Sequence, residues 1–236
     1  MFSLKENFKF LDDGIDIPFY NDRPKLSVFD WGIMLVSVIL TIGYLTVIPI
    51  TNEYLPLALF LTGIIPALYV CKGNYSLFFK KLRLKDIKLI ILCIVAIYIY
   101  VVGIRLILFP VGMTSHAGLD SGVSLITIFN LLLQVMGEEF FKVFILLILM
   151  YVVYKITRNR NMSIFVGLIA SMVIFGLAHY DAYDGKILQI LIVQGLGSIF
   201  EYYAYLKTKN IWVSYLIHLI QDLIPVVMIL LHVIPV

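Results

Sequence analysis

Apolar residues run along this chain in long, nearly unbroken stretches separated by short polar joins. A membrane-crossing helix needs roughly 20 mostly apolar residues. Seven stretches qualify: Ser27–Ile50, Tyr54–Val70, Ile87–Phe109, Val123–Tyr154, Ser163–Tyr180, Ile187–Leu206 and Ile211–Ile234. The runs are continuous, whereas a transmembrane barrel would show roughly ten-residue segments of alternating polarity. The pattern therefore predicts an all-α, polytopic integral membrane protein. Residues 1–26 form an N-terminal cytoplasmic segment in this reading, and residues 27–236 a single transmembrane domain. Pro110, Pro225 and the glycines at the joins read as punctuation or kinks, tolerated in lipid where neighbours satisfy the freed carbonyls. Gly195 and Gly197 fall inside an apolar run and read as a point of close helix packing.

Composition agrees with the pattern. The chain is 61% apolar and 14% charged, with a mean hydropathy of +1.00. A soluble domain carries about 25% charged residues, so too few remain here to cover a water-facing surface. The first 25 residues are polar, with Asp12, Asp13 and Asp16, and lack the early apolar stretch of a cleaved signal peptide. The first span is expected to stay in the mature protein. Cys71 and Cys93 lie in or beside apolar runs and read as small buried hydrophobes rather than a disulfide. Nothing resembles a nucleic-acid module, an internal repeat or a phosphate-binding glycine loop.

Lysine and arginine set orientation through the short loops. Lys5, Lys9, Arg23 and Lys25 precede span one; Lys72, Lys80, Lys81, Arg83, Lys85 and Lys88 crowd the loop before span three. Lys155, Arg158 and Arg160 follow span four, Lys207 and Lys209 follow span six, and Lys186 alone breaks the alternation. An inside N-terminus and an outside C-terminus follow for seven spans. Ser76–Lys88 reads first as a positive-inside anchor. The alternative is a segment lying flat on the inner surface, each base contributing about 1 kcal/mol against anionic lipid.

Ionisable groups deep in a span cost about 2.5–3.5 kcal/mol each and need a reason. Asn130, Gln134, Glu138 and Lys142 recur every four residues of span four, on one helical face, with Glu139 a further 100° or so round. Two adjacent carboxylates in a low dielectric cannot both ionise cheaply, and Lys142 reaches both at i+4 and i+3. A structural ion pair needs one acid, so the second glutamate points to function. His179 follows Phe175 by four residues near the end of span five; alone it reads as a capping or interfacial histidine. Span seven carries Ser214, His218 and Asp222 on one face. There Asp222 can hold the imidazole in one tautomer and orientation, or the two form a polar pair without chemistry. Together these groups suit water activation by a glutamate, with histidines at the developing oxyanion. They would also serve a metal, since histidine and glutamate ligate zinc, although no HExxH helix is present.

The fragments Glu138-Glu139-Phe-Phe-Lys142, Phe175-Gly-Leu-Ala-His179 and His218-Leu-Ile-Gln-Asp222 resemble, in order, the EExxxR, FxxxH and HxxxN/D signatures of the CPBP intramembrane peptidases. These are the CAAX-protease and bacteriocin-processing (Abi, or Ras-converting-endopeptidase) type. Tyr205 to His218 also resembles the family's run into its third signature, and the CPBP-like core is expected over about residues 120–234. The resemblance implies seven to eight transmembrane helices around a membrane-open cavity. It implies that Glu138 with His179 activates water, that His218 with Asp222 stabilises the oxyanion, and that Glu139 supports Glu138. A metal, if one is bound, would be zinc on Glu138, His179 and His218. One departure stands out: the basic residue is Lys142, one position early and not arginine, and Arg105 in span three is a candidate source of the guanidinium.

The implied partners are a peptide or membrane-anchored protein substrate and the bilayer, with no nucleic acid. The expected location is a bacterial plasma membrane. The alternative is a catalytically silent member that binds a membrane-protein partner in immunity or regulation; a small transporter fits less well, for want of inverted repeats. Depth gives one conflict. Glu138 and His179 lie far along their helices from Lys155 and Arg160, whereas His218 closely follows Lys209. At roughly 1.5 Å per residue their heights would differ by about 10 Å or more. Helix tilt, a broken helix, or Lys207–Lys209 on the outer side would reconcile them.

Overall fold

The computed structural model describes residues 8, 11, 15–49, 51–108, 112–114 and 122–233. These form helices α1 (Val28–Val47), α2 (Leu55–Cys71), α3 (Leu84–Leu108), α4 (Leu125–Thr157), α5 (Arg160–Leu177), an irregular α6 (Ile187–Thr208) and α7 (Ile211–Leu230). No strand occurs among the described residues. Each of the seven apolar stretches carries one helix. Six are long and apolar enough to cross a membrane, and α2, with 17 residues, is apolar but shorter. The chain is a multi-pass membrane protein. The expected ends at Ile50, Phe109 and Ile234, together with Pro110, Lys5, Lys9, Asp12, Asp13 and most of the join before span four, lie outside the described residues.

Helix ends follow local chemistry. Ser27 opens α1 with a reciprocal cap: its Oγ accepts from Asp30 N at 3.2 Å, and Asp30 accepts from Ser27 N at 2.7 Å. Asn159 caps α5 by accepting from Met162 N at 3.0 Å. Lys72, Arg158 and Lys209 end α2, α4 and α6 in the left-handed conformation. Lys72 then reaches back to Asp30 at 2.6 Å, tying the end of α2 to the start of α1.

α4 is the central helix, with α1, α2, α5 and α7 packed around it. Its buried stretch runs unbroken from Val135 to Leu147, and small residues set the close crossings. A Cβ on Gly137 would lie 2.4 Å from the Leu59 carbonyl carbon and oxygen, so α2 and α4 meet backbone to backbone. Gly176 of α5 and Gly195 of α6 make the second such contact, as the pairing of glycines inside apolar runs suggests: a Cβ on Gly176 would lie 2.7 Å from Ile190 O. There α6 widens into a π-helical segment over Ile190–Gly195 and tightens again over Leu196–Ser198. α3 shows Ile91, Leu92, Ile99 and Leu106 at its surface, as a lipid-facing helix should.

The basic joins gather at one end of the bundle. Lys155 pairs with Asp22 at 2.7 Å and Arg160 with Asp16 at 3.0 Å. The preceding segment buries Ile17, Phe19 and Tyr20. At the same end Asn210 and Lys80 exchange hydrogen bonds, Asn210 Nδ2 to Lys80 O at 3.1 Å and Lys80 N to Asn210 Oδ1 at 3.0 Å. Phe78 O accepts from Ile211 N at 2.8 Å. Ser76–Lys88 is therefore tied to the bundle at Phe78 and Lys80. It is a short 3₁₀ turn over Tyr75–Leu77, an extended stretch, and the first turn of α3. Phe78 is fully buried against Phe19, Phe140 and Phe144.

Candidate active site

The polar face of α4 meets α5, α6 and α7 halfway along the bundle. Glu139 Oε1 accepts from His218 Nδ1 at 2.8 Å and pairs with Lys142 Nζ at 2.5 Å. Lys142 also makes a close ion pair with Glu201 of α6, and its ammonium lies 4.7 Å from the centre of the Phe175 ring. All four side chains are nearly inaccessible. His218 Nε2 points the other way, 3.6 Å from Glu138 Oε2 and 3.5 Å from Asp222 Oδ2. Gln134, one turn before Glu138, donates to Glu138 Oε1 at 2.8 Å.

His179 lies two residues beyond α5, where its Nδ1–H donates to Phe175 O at 2.8 Å. A carbonyl only accepts, so this bond fixes the tautomer of a neutral ring and leaves a lone pair on Nε2. Phe175 also stacks edge-on against His179, with centroids 4.7 Å apart, and packs against His218. It is the apolar partition of the site. A cavity of about 260 Å³ opens beside these groups. Glu138, Gln134, His179, Phe175 and Phe141 line one side, and residues of α1, α2 and the join between them line the other.

The structure redistributes several expected roles. Glu139, not Asp222, makes the hydrogen bond that orients His218, because α4 presents it directly to Nδ1 while Asp222 lies one turn along and is one-third exposed. Arg105 supplies no guanidinium, since it is exposed at the last turn of α3. The cation at the glutamates is the Lys142 ammonium, and position 143, where the arginine would fall, is a buried valine. Glu201 is a site residue that the sequence reading passed over. The signal was available, for it too is a lone carboxylate inside an apolar run, but its partner lies on another helix. The height conflict also resolves. The α6–α7 turn is recessed into the bundle, where Lys209 is buried and donates to Leu11 O at 2.8 Å, while the long α4 runs on to the N-terminal segment.

A zinc site does not fit these residues. Among the described residues, the three side chains that bring a ligand atom each to within 4.8 Å of one another are Glu139, Glu201 and His218, not Glu138, His179 and His218. Lys142 already stands as the cation for both of those carboxylates.

Residues 120–224 match the family model described as Type II CAAX prenyl endopeptidase Rce1-like. The match supports a relationship to the CAAX protease family over this region, somewhat less than half of the chain. It spans α4 to most of α7, the four helices that bring Glu138, Glu139, Lys142, His179, Glu201, His218 and Asp222 together. No curated protein and no solved structure matches the chain. The CAAX protease family is a family of proteases, and its matched region is also the part of this chain where buried charge is concentrated.

Proposed function

We propose that this protein is an intramembrane endopeptidase of the CAAX-protease type in which Glu138 is the general base for water. One observation carries the reading. Glu138 and His179 share a cavity wall with His218 Nε2 only 3.6 Å from Glu138, while the ammonium of Lys142 is engaged by the other two glutamates. Glu138 takes a proton from water as the oxygen attacks the substrate carbonyl carbon, and the carbonyl electrons collect on its oxygen. His218 acts as the imidazolium, donating Nδ1–H to Glu139 and Nε2–H to that oxygen, and His179 turns the lone pair of Nε2 to the cavity as an acceptor for water. The tetrahedral adduct then collapses. The C–N bond breaks, the proton returns from Glu138 to the leaving amine, and the products are a carboxylate and an amine.

The substrate class is a membrane-associated protein or a peptide precursor, reached from within the bilayer, and the location is a bacterial plasma membrane. Short loops and Ile-, Lys- and Tyr-rich usage support the location. The chain reconstituted into liposomes should cleave a prenylated CAAX peptide or a membrane-anchored peptide precursor, with product masses read directly. Glu138→Gln and His179→Ala should each lower the rate by about 10²–10⁴. Cleavage unchanged in both variants sinks the assignment.

A second reading, a silent member that binds a partner in immunity or regulation, draws on Asp222. An ionised carboxylate 3.5 Å from Nε2 is an acceptor that competes for the proton an oxyanion needs. In that case the same two substitutions leave the cellular phenotype intact.

A further inference from the structure

Glu201 stands out as a buried acid that the water-activating groups do not require. It lies on α6 just after the π-helical and 3₁₀ segments, 3% exposed, and pairs closely with Lys142 while standing 4.0 Å from His218 Nδ1. Around the Lys142 ammonium are two carboxylates, Glu139 and Glu201, the imidazole of His218 at 3.5 Å, and the rings of Phe175 at 4.7 Å and Tyr202 at 5.8 Å. An ammonium has three N–H donors and no acceptor. Glu139 Oε1 serves two donors at once, Lys142 at 2.5 Å and His218 Nδ1 at 2.8 Å.

Glu201 decides how that competition ends. By drawing the ammonium toward α6, it leaves Glu139 able to accept from His218 and keeps the cation from the imidazole nitrogen it nearly touches. Without it, the flexible lysine has Glu139 as its one remaining carboxylate partner in an enclosure otherwise made of rings. The ammonium and His218 Nδ1–H then share Glu139 with no second carboxylate to hold the cation off, and the bond that aims Nε2 toward Glu138 weakens.

We propose that Glu201 is a positioning residue, acting through Lys142 and Glu139 to set the orientation of His218. The proposal rests on the peptidase reading for its kinetic consequence but not for its structural one.

The test is Glu201→Gln, which keeps the shape and removes the charge, beside Glu201→Asp, which keeps the charge. The first measurement needs no substrate. Protein labelled with ¹⁵N-histidine, with His218 assigned through His218→Gln, should show the His218 Nδ1 resonance moved in Glu201→Gln and restored in Glu201→Asp. His232 should be unmoved in both. The second is cleavage of the prenylated and anchored peptides. There kcat should fall about tenfold, as for loss of a supporting partner, with KM unchanged and Glu201→Asp largely active. Should Glu201→Gln fail to fold, Lys142→Met/Glu201→Gln removes the competing ammonium together with its partner, and His218 should keep its Nδ1–H bond to Glu139, read as a retained, slowly exchanging Nδ1–H.

A His218 signal unmoved in Glu201→Gln, or a His218 Nδ1–H bond lost in the double variant where that is the one read, overturns the proposal. So does equal loss of kcat in Glu201→Gln and Glu201→Asp with a matching loss of melting temperature. If the unsubstituted chain cleaves neither peptide, the peptidase reading fails, and the resonance still decides the role of Glu201.

Discussion

Gly137 is one residue from the proposed base, and its replacement by alanine tests whether the α2–α4 crossing is as close as the backbones imply. The new Cβ would fall 2.4 Å from Leu59 C and O and 2.8 Å from Phe60 N, where ordinary contact begins at 3.4 Å. All three atoms are backbone, so no rotamer change relieves the overlap, and α2 must retreat by about 1 Å. Forcing one extra carbon into a packed interior costs about 1–3 kcal/mol. At about 2–4 °C per kcal/mol for a chain of this length, the melting temperature should fall by several degrees. Because Leu55 of α2 lines the same cavity as Glu138, the retreat should also loosen the site. Gly32→Ala is the control: a Cβ there meets nothing within 4 Å, and alanine favours helix by up to about 1 kcal/mol. Intrinsic fluorescence follows unfolding in detergent, through Trp31 stacked on Tyr151 at 4.3 Å. Equal melting temperatures for the two variants would refute the crossing.

Two further outcomes follow from buried charge and buried volume. Lys142→Met strands Glu139 and Glu201 without their cation and should cost about 3–5 kcal/mol; adding Glu201→Gln should restore much of it, read as a coupling in thermal melts. Phe78→Ala removes the ring enclosed by Phe19, Phe140 and Phe144 and should cost about 3–5 kcal/mol, while a leucine there should cost less.

The helices were legible because a span needs only length and apolarity, both written locally. The seven runs match seven helices, and the glycine pair in the sixth run marks a close crossing at Gly176 and Gly195. What periodicity could not show was the change of helix type over Ile190–Gly195, which depends on α5 pressing against it. Nor could it show the burial of Phe78. Aromatics interleaved with bases read first as a positive-inside anchor and otherwise as an interfacial stretch, yet the aromatic at 78 points inward, where the chain between α2 and α3 packs it against Phe140 and Phe144 in the middle of α4.

The site divides along the same line. Spacing within one helix exposed every candidate on α4 and α7, since residues three or four apart share a face whatever surrounds them. It then assigned partners within the helix as well, giving His218 to Asp222 when the shorter contact is to Glu139 on α4. Glu201 escaped for the same reason: nothing basic lies a turn away inside its own apolar run, so its counter-charge had to come from elsewhere. Insertion cost alone already demanded one, because a carboxylate at 3% exposure in such a helix is not retained without a cation or a proton. With Lys142 between Glu139 and Glu201, the misplaced base of the first signature has a physical role that an arginine at position 143 would not fill: it joins α4 to α6 and leaves Glu138 as the glutamate outside the ammonium's ion pairs.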